Sequence, residues 1–106
     1  MNNKEYFLSL IKGDTFYLRA NVSQEELQII STISFIVSDL NLNLQMTEDN
    51  YPNDDGSINY GYSLEISNVA TANFKAMRTT YAIVVTYQDG VETVLRNGLL
   101  RIYERE

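Results

Sequence analysis

The chain has 106 residues, a formal net charge of −6, and no His, Cys or Trp. This length suits one domain, and we expect a single domain over residues 1–106 that folds without disulfides. The missing residue types exclude a zinc site built on Cys or His, a thiol nucleophile and a Ser-His-Asp triad. No glycine-rich phosphate loop occurs either. We expect a protein that is not an enzyme, has no catalytic residue and binds no cofactor.

The charge is unevenly distributed along the chain. No Lys or Arg lies between Arg19 and Lys75, and the intervening stretch carries eight carboxylates. Because phosphate contacts need clustered cations, we expect no nucleic-acid partner. The simpler interpretation is a solvated acidic face that keeps the domain soluble, and the alternative is an acidic face that meets a basic partner.

Neither a targeting segment nor a membrane segment is predicted. The apolar run over residues 6–11 is too short for the core of a signal peptide, and Lys12-Gly13-Asp14 ends it. No run approaches the ~20 apolar residues of a membrane helix. We expect no membrane partner and synthesis in a cytoplasm.

Alternation with a period of two dominates the chain and predicts strands. The first two strands, over 6–10 and 15–22, are predicted as a hairpin or closely linked pair around the turn at 12–14. Ser23 followed three residues later by Glu26 is a capping-box pattern, and because the run after it is short it predicts one helical turn or a loop. Apolar positions then alternate with one parity up to Val37 and with the opposite parity from Leu40. A turn or bulge near residues 38–39 is therefore predicted.

The second half of the chain also contains strands that alternate with a period of two, separated by a loop and a helical segment. Residues 47–57 are dense in turn formers and predict the longest loop, whereas residues 58–66 form the cleanest strand. Residues 68–78 are spaced for a short helix or a crossover, and residues 80–88 return to a strand.

The last hairpin allows the register to be argued, because Asp89-Gly90 is a strong turn motif. A three-residue loop over 88–90 separates apolar from polar faces better than a two-residue loop. The pairs it predicts are Tyr87 with Val91, Val85 with Thr93, Ile83 with Leu95, Thr86 with Glu92 and Ala82 with Arg96. Gly90 is then left-handed in a bulge, and Asn97-Gly98 marks a second bulge or bend.

About seven short strands with one or two helical turns predict an all-β fold, an antiparallel β-sandwich. A small closed barrel is the alternative.

Two groups of residues are candidates for an interaction site. The first is the carboxylate cluster Glu48, Asp49, Asp54 and Asp55. A calcium loop of the EF-hand type fails here, since placing Gly56 at the invariant glycine puts tyrosines at the first and last ligand positions. We therefore expect a solvated loop and no metal. The second is Tyr17 beside Arg19 on the polar face of a strand, a pair that could serve an interface or stack on a sugar.

Both ends of the chain resemble a known family. The opening segment 11–18, Ile-Lys-Gly-Asp-Thr-Phe-Tyr-Leu, and the closing segment 80–102, with its Tyr-rich strand, Asp-Gly turn and late glycine, carry the resemblance. They are similar to small immunoglobulin-like β-sandwich modules of bacteriophage virions, among them the N-terminal domain of the baseplate upper protein. The middle of the chain matches only in strand order. Because the baseplate protein continues further, we expect a free-standing version of the module.

The resemblance implies an immunoglobulin-like sandwich with a structural role in a virion, at the tail, the baseplate or the head surface. The implied partners are other virion proteins and further copies of the chain, with synthesis in the host cytoplasm and final localisation in the virion. Two alternatives remain open: a carbohydrate-binding module that uses exposed Tyr, and a small acidic inhibitor protein directed against a nucleic-acid enzyme.

Overall fold

A computed structural model describes residues 7–105, and this part of the chain is all-β with two short helices. Seven of its strands have four or more residues, the number predicted from the alternation. The strands are β1 (Leu8–Ile11), β2 (Phe16–Asn21), β3 (Ile30–Val37), β4 (Leu42–Gln45), β5 (Thr47–Glu48), β6 (Tyr51–Pro52), β7 (Ile58–Asn59), β8 (Gly61–Ile66), β9 (Met77–Tyr87) and β10 (Glu92–Tyr103). The helices are α1 (Gln24–Ile29) and α2 (Asn68–Ala72), and a 3₁₀ turn spans Ser38–Leu40.

The strands form two main sheets and one small hairpin. The larger sheet has the order β1-β10-β9-β3-β4, the smaller has the order β2-β8-β5, and β6 pairs with β7. All these pairs are antiparallel except β1 with β10, which is parallel. The five-stranded sheet is therefore mixed, and the antiparallel pairing throughout that was predicted from the sequence is wrong at this one strand pair.

The core lies where the apolar faces of the two sheets meet. The Phe35 ring, fully buried on β3, has its centroid 6.1 Å from that of Phe16 and 5.8 Å from that of Tyr81. The two sheets thus share one aromatic contact at the centre of the core. The other fully or nearly fully buried apolar side chains are Leu10, Leu18, Ala20, Ile30, Ile33, Val37, Met46, Tyr62, Ile66, Ile83, Val85, Leu100 and Ile102.

Local motifs place the turns as the sequence indicates. The Ser23 hydroxyl accepts from the Glu26 N–H and the Glu26 carboxylate accepts from the Ser23 N–H, which confirms the capping box and the short helix. The parity change after Val37 is resolved by the 3₁₀ turn, which ends on Asn41 in the left-handed region at φ 52°. Asn tolerates this conformation better than most residues do.

Of the two arrangements predicted for the first two strands, the hairpin is wrong, and the strands are only linked by a short turn. β1 lies at the edge of the five-stranded sheet beside β10, and β2 pairs with β8 in the other sheet. The turn between them, with Gly13 at φ 87°, carries the chain from one sheet to the other. Both strands have an apolar face, and each can reach the shared core only from its own side. Alternation alone does not distinguish this crossing from a hairpin.

The α2 helix is attached to the same turn through a buried threonine. The Thr71 hydroxyl donates to the Asp14 carbonyl at 2.7 Å and accepts from the Gly13 N–H at 3.1 Å. Its side chain is fully buried. Because this buried hydroxyl is satisfied both as a donor and as an acceptor, it stabilises the contact between the crossing turn and α2, which connects β8 to β9.

The β9–β10 hairpin follows the predicted loop but not the whole predicted register. Tyr87 N–H donates to the Val91 carbonyl at 2.9 Å, Val85 pairs with Thr93, and Gly90 has φ 89°, as predicted. The second bulge lies at Leu95, not at Asn97-Gly98.

The consequence of this bulge is a shift by one residue in the rest of the hairpin. Ile83 pairs with Arg96 and not with Leu95, and Ala82 pairs with Asn97 and not with Arg96. The shift turns Leu100 toward the core, where it is 1% exposed. Without a bulge the alternation would direct it to the outer face.

Substitution of Phe35 tests the packing between the two sheets directly. We expect Phe35→Ala to lower the free energy of unfolding by about 3–5 kcal/mol, because it removes the ring that joins the two sheets and leaves a cavity. Urea titration followed by circular dichroism measures this. Val69→Ala is the control, since Val69 is 71% exposed on α2 and should change stability by less than about 0.5 kcal/mol. Equal losses in the two variants would contradict the described core.

Candidate functional site

The outer face of the three-stranded sheet carries the predicted Tyr17–Arg19 pair. Both residues lie on β2 with their side chains on the face away from the core, and Tyr17 is 70% exposed. Directly opposite Tyr17 on β8 lies Glu65. The charge of the Glu65 carboxylate, together with a hydrogen bond to it, raises the pKa of the Tyr17 hydroxyl. Tyr17 therefore presents an exposed ring whose hydroxyl is held protonated beside a carboxylate.

Arg19, which was predicted as one member of an exposed pair, is engaged in contacts within the chain. Its Nε donates to Asn21 Oδ1 at 2.9 Å, its Nη1 to Asp49 Oδ2 at 3.2 Å and its Nη2 to the Asn59 carbonyl at 3.3 Å. All three guanidinium nitrogens are thus bound to acceptors of this chain. Two of these acceptors belong to the segment 47–60, so Arg19 fastens that segment to β2.

A tyrosine and a glycine complete this arrangement, which we name the Arg19 clamp (Arg19, Asn21, Asp49, Tyr51 and Gly61). The Arg19 Cζ lies 4.6 Å from the centre of the Tyr51 ring, a cation–π distance. A Cβ at Gly61 would lie 2.7 Å from Arg19 Nη2 and 2.6 Å from the Ala20 carbonyl oxygen. Only glycine leaves room for the guanidinium at this point.

The four carboxylates predicted as one cluster separate into two pairs. Glu48 and Asp49 lie at the end of β5, at the edge of the three-stranded sheet. Asp54 and Asp55 lie at the tip of the β6–β7 hairpin. The segment predicted as the longest loop therefore contains two short strands, and the hairpin divides its charge.

Each pair has a different local environment. Glu48 accepts from the Asn50 side chain at 2.8 Å and lies opposite Tyr62, whose pKa is raised by burial and then by the charge of Glu48. Hydrogen bonds from the Ser57 hydroxyl and then from the Ser57 N–H lower the pKa of Asp55. These contacts are those of an ordered turn.

Hydrogen bonds within the hairpin tip support the same interpretation. Asn53 donates to Ser57 through both its backbone and its side chain, and Asn59 donates to Asn53 Oδ1 at 2.6 Å. Gly56 turns the chain at φ 89°. Within residues 7–105 no three carboxylates come close enough together to hold a metal ion.

A shallow depression of about 460 Å³ lies on this side of the molecule. Its lining includes the Tyr17 ring, the Arg19 clamp through Asp49 and Tyr51, and the Glu65 carboxylate. An exposed aromatic ring beside carboxylates suits a polar ligand that offers hydroxyl groups and a flat apolar face. Of the candidates predicted from the sequence, the structure thus brings Tyr17, Arg19 and Asp49 together, and it leaves Asp54 and Asp55 apart on the hairpin tip.

Asn21, Tyr51 and Gly61 are the members of the Arg19 clamp that were not predicted from the sequence. One pattern does indicate that Arg19 has a partner within the chain. Arg19 is the last cation before a long acidic stretch, so some carboxylate of that stretch is its natural partner. The choice of Asp49 depends on the pairing of β5 with β8, which the sequence does not reveal.

Comparison with protein-family models, with curated proteins and with solved structures found no match to this chain. None of the helices in the described part of the chain has the length and apolar character needed to cross a membrane.

The Arg19 clamp predicts an unequal effect of two arginine substitutions. We expect Arg19→Ala to lower the free energy of unfolding by about 1–2 kcal/mol, because it leaves three acceptors without their donor and removes the Tyr51 contact. Arg105→Ala is the matched control: Arg105 also pairs with an aspartate, Asp14, but is 62% exposed, so its loss should cost under about 0.5 kcal/mol.

Urea titration gives the two free energies, and hydrogen exchange of the Asp49 amide shows whether the segment has come loose. That amide donates to the Gly61 carbonyl at 2.8 Å, so its protection reports the attachment of β5 to β8. If Arg19→Ala destabilised the protein no more than Arg105→Ala and left this protection unchanged, the clamp would have no mechanical role.

Proposed function

We propose that this chain is an immunoglobulin-like β-sandwich module that acts as a non-enzymatic structural protein of a bacteriophage virion, through contacts with other virion proteins. The observation that carries the proposal is the strand order. The smaller sheet, β2-β8-β5, has the order B-E-D of an immunoglobulin domain, and the strands β10-β9-β3-β4 have the order G-F-C-C′. The first strand pairs in parallel with the last, at the edge of the larger sheet.

The resemblance of the two chain ends supports the same module. The opening segment 11–18 forms the crossing turn and the start of β2, and the closing segment 80–102 forms the β9–β10 hairpin. Both segments that carry the resemblance therefore belong to the framework of the two main sheets. A likeness in framework segments supports a common fold, and the virion role comes with it as analogy.

An assembly role is supported by apolar side chains on the surface. Val91, Val94, Leu95 and Leu99 are each at least 40% exposed along one stretch of the β9–β10 hairpin. A run of exposed apolar residues on one element is a frequent property of protein–protein contact surfaces. Tail, baseplate and head surfaces all offer such neighbours.

The experiment is to locate the chain in particles. If phage particles are purified through a density gradient, we expect peptides of this chain at a fixed ratio to a major structural protein, measured by quantitative mass spectrometry. Infected-cell lysate provides the control for expression. Peptides that are abundant in the lysate and absent from gradient-purified particles would show that the proposal is wrong.

A carbohydrate-binding role is the second candidate, and the depression beside Tyr17 favours it. Rings exposed as fully as that of Tyr17 stack readily on sugar faces, and the neighbouring Glu65 and Asp49 can accept hydrogen bonds from sugar hydroxyls. Such binding would place the module at a particle surface facing a host glycan.

Glycan-array binding with three forms of the protein tests this candidate. We expect Tyr17→Ala to abolish binding, and Tyr17→Phe to retain most of it, since the ring is what stacks. Tyr17 is exposed, so neither change should affect folding, which thermal unfolding checks. A blank array for the unaltered protein, or equal binding by the Ala variant, would contradict a glycan site at Tyr17.

A further inference from the structure

The outer face of the five-stranded sheet, as far as the described strands form it, carries no charged side chain at its centre. Directly opposed residues share a face, so the pairing of β10, β9 and β3 assigns its centre. That centre is formed by Ile36, Thr80, Ala82, Val84, Val94 and Leu99. A shallow depression of about 430 Å³ lies over it, beside the Ala82–Asn97 pair.

The charges on this outer face lie at its two ends. Among the described residues of these five strands, the charged ones on the outer face are Glu92 at one end, and Arg78 and Arg101 at the other. Glu92 pairs with Thr86, and Arg101 pairs with Arg78. Thr86 and Arg78 lie four residues on either side of Ala82 along β9. The two charged ends are therefore equidistant from the Ala82–Asn97 pair.

We propose that this face binds a second copy of the chain, in a two-fold dimer whose axis crosses the strands at the Ala82–Asn97 pair. Rotation about such an axis reverses the strands and keeps β10 against β10, which brings Glu92 of each copy onto Arg101 of the other. An axis along the strands at the same pair would instead place Arg78 of each copy against Arg101 of the other. The charges thus select the first arrangement over the second.

The size of the face suits a pair of this kind. β9 and β10 run the whole length of the face, about nine residues at ~3.3 Å, whereas the edge strands β1 and β4 have four residues each. With ~4.8 Å between strands, the face covers roughly 450–500 Å² per copy. The total of roughly 900–1,000 Å² lies in the range of weak, reversible interfaces. A reversible dimer in the micromolar range is expected, with the two sheets crossing at about 30° because of their twist.

The opposite side of the molecule disfavours the same partner. Its outer face carries Glu65, and Asp49 lies on the same side against Arg19. Two copies that met there would bring carboxylates against carboxylates. A second copy is therefore directed to the uncharged face.

Sedimentation velocity over a concentration series tests the dimer. For the unaltered protein we expect a shift from monomer to dimer between low and high micromolar concentration. Thr80→Glu places a charge in the centre of the face and should weaken the dimer at least about tenfold. Thr47→Glu is the matched control, an exposed strand threonine on the outer face of the other sheet, and should leave the dimer unchanged.

Charge reversal tests the orientation of the two copies. Glu92→Arg should weaken the dimer several-fold, and Glu92→Arg combined with Arg101→Glu should restore most of the affinity, because the pair is rebuilt with its signs exchanged. Thermal unfolding of each variant confirms that the fold is kept. A chain that stays monomeric to about 1 mM, or a dimer that is weakened by Thr47→Glu and not by Thr80→Glu, would overturn the proposal.

This inference names one partner within the assembly role proposed above and rests on that role for its purpose only. The two can fail separately. A chain found in purified particles that never dimerises in solution would refute the dimer and leave the virion role standing. A dimer whose chain is absent from particles would do the reverse.

Discussion

The structure depends on a single constraint on β10. In its second half the even-numbered residues must face the core, whereas the register set by the hairpin loop would point them outward. The half near the hairpin turn stands clear of the core, while Leu100 and Ile102 at the other end are buried between the sheets. A regular strand that satisfied the hairpin loop would turn both of these side chains outward. The extra residue at Leu95 corrects the parity, and β1 can then pair with the buried half of β10. The bulge at Leu95 therefore sets the orientation of the part of β10 against which the edge strand β1 pairs.

The Arg19 clamp does for the smaller sheet what the bulge does for the larger one. β5 has two residues and pairs with only two residues of β8, which is little to hold a strand in place. The guanidinium of Arg19 reaches across to Asp49, just before the β6–β7 hairpin, and to Asn59, the last residue of that hairpin. The positive charge of Arg19 is therefore used in contacts within the chain and is not offered to a partner. The exposed chemistry of this face is consequently that of Tyr17 and of carboxylates.

Features that depend on neighbours in sequence were predictable, and those that depend on neighbours in space were not. The capping box at Ser23, the break after Val37 and the left-handed Gly90 are written in adjacent residues, and each is confirmed. The separation of β1 from β2 was missed because a strand's alternation tells which side faces a core but not which sheet supplies it. For the same reason Arg19 was predicted on the correct face, whereas its partner Asp49 and the need for Gly61 were not.

The separation of charge between the two sheets links the fold to its proposed use. Alternation required an apolar inner face on both sheets, but it left their outer faces free to differ. Carboxylates lie on the smaller sheet and on the β6–β7 hairpin. The larger sheet has Thr, Val, Ala and Ile at the centre of its outer face, between charged ends. A monomer gains nothing from an uncharged outer face, since charges there would improve its solubility. An assembly component does gain, because it must be soluble on one side and able to associate on the other.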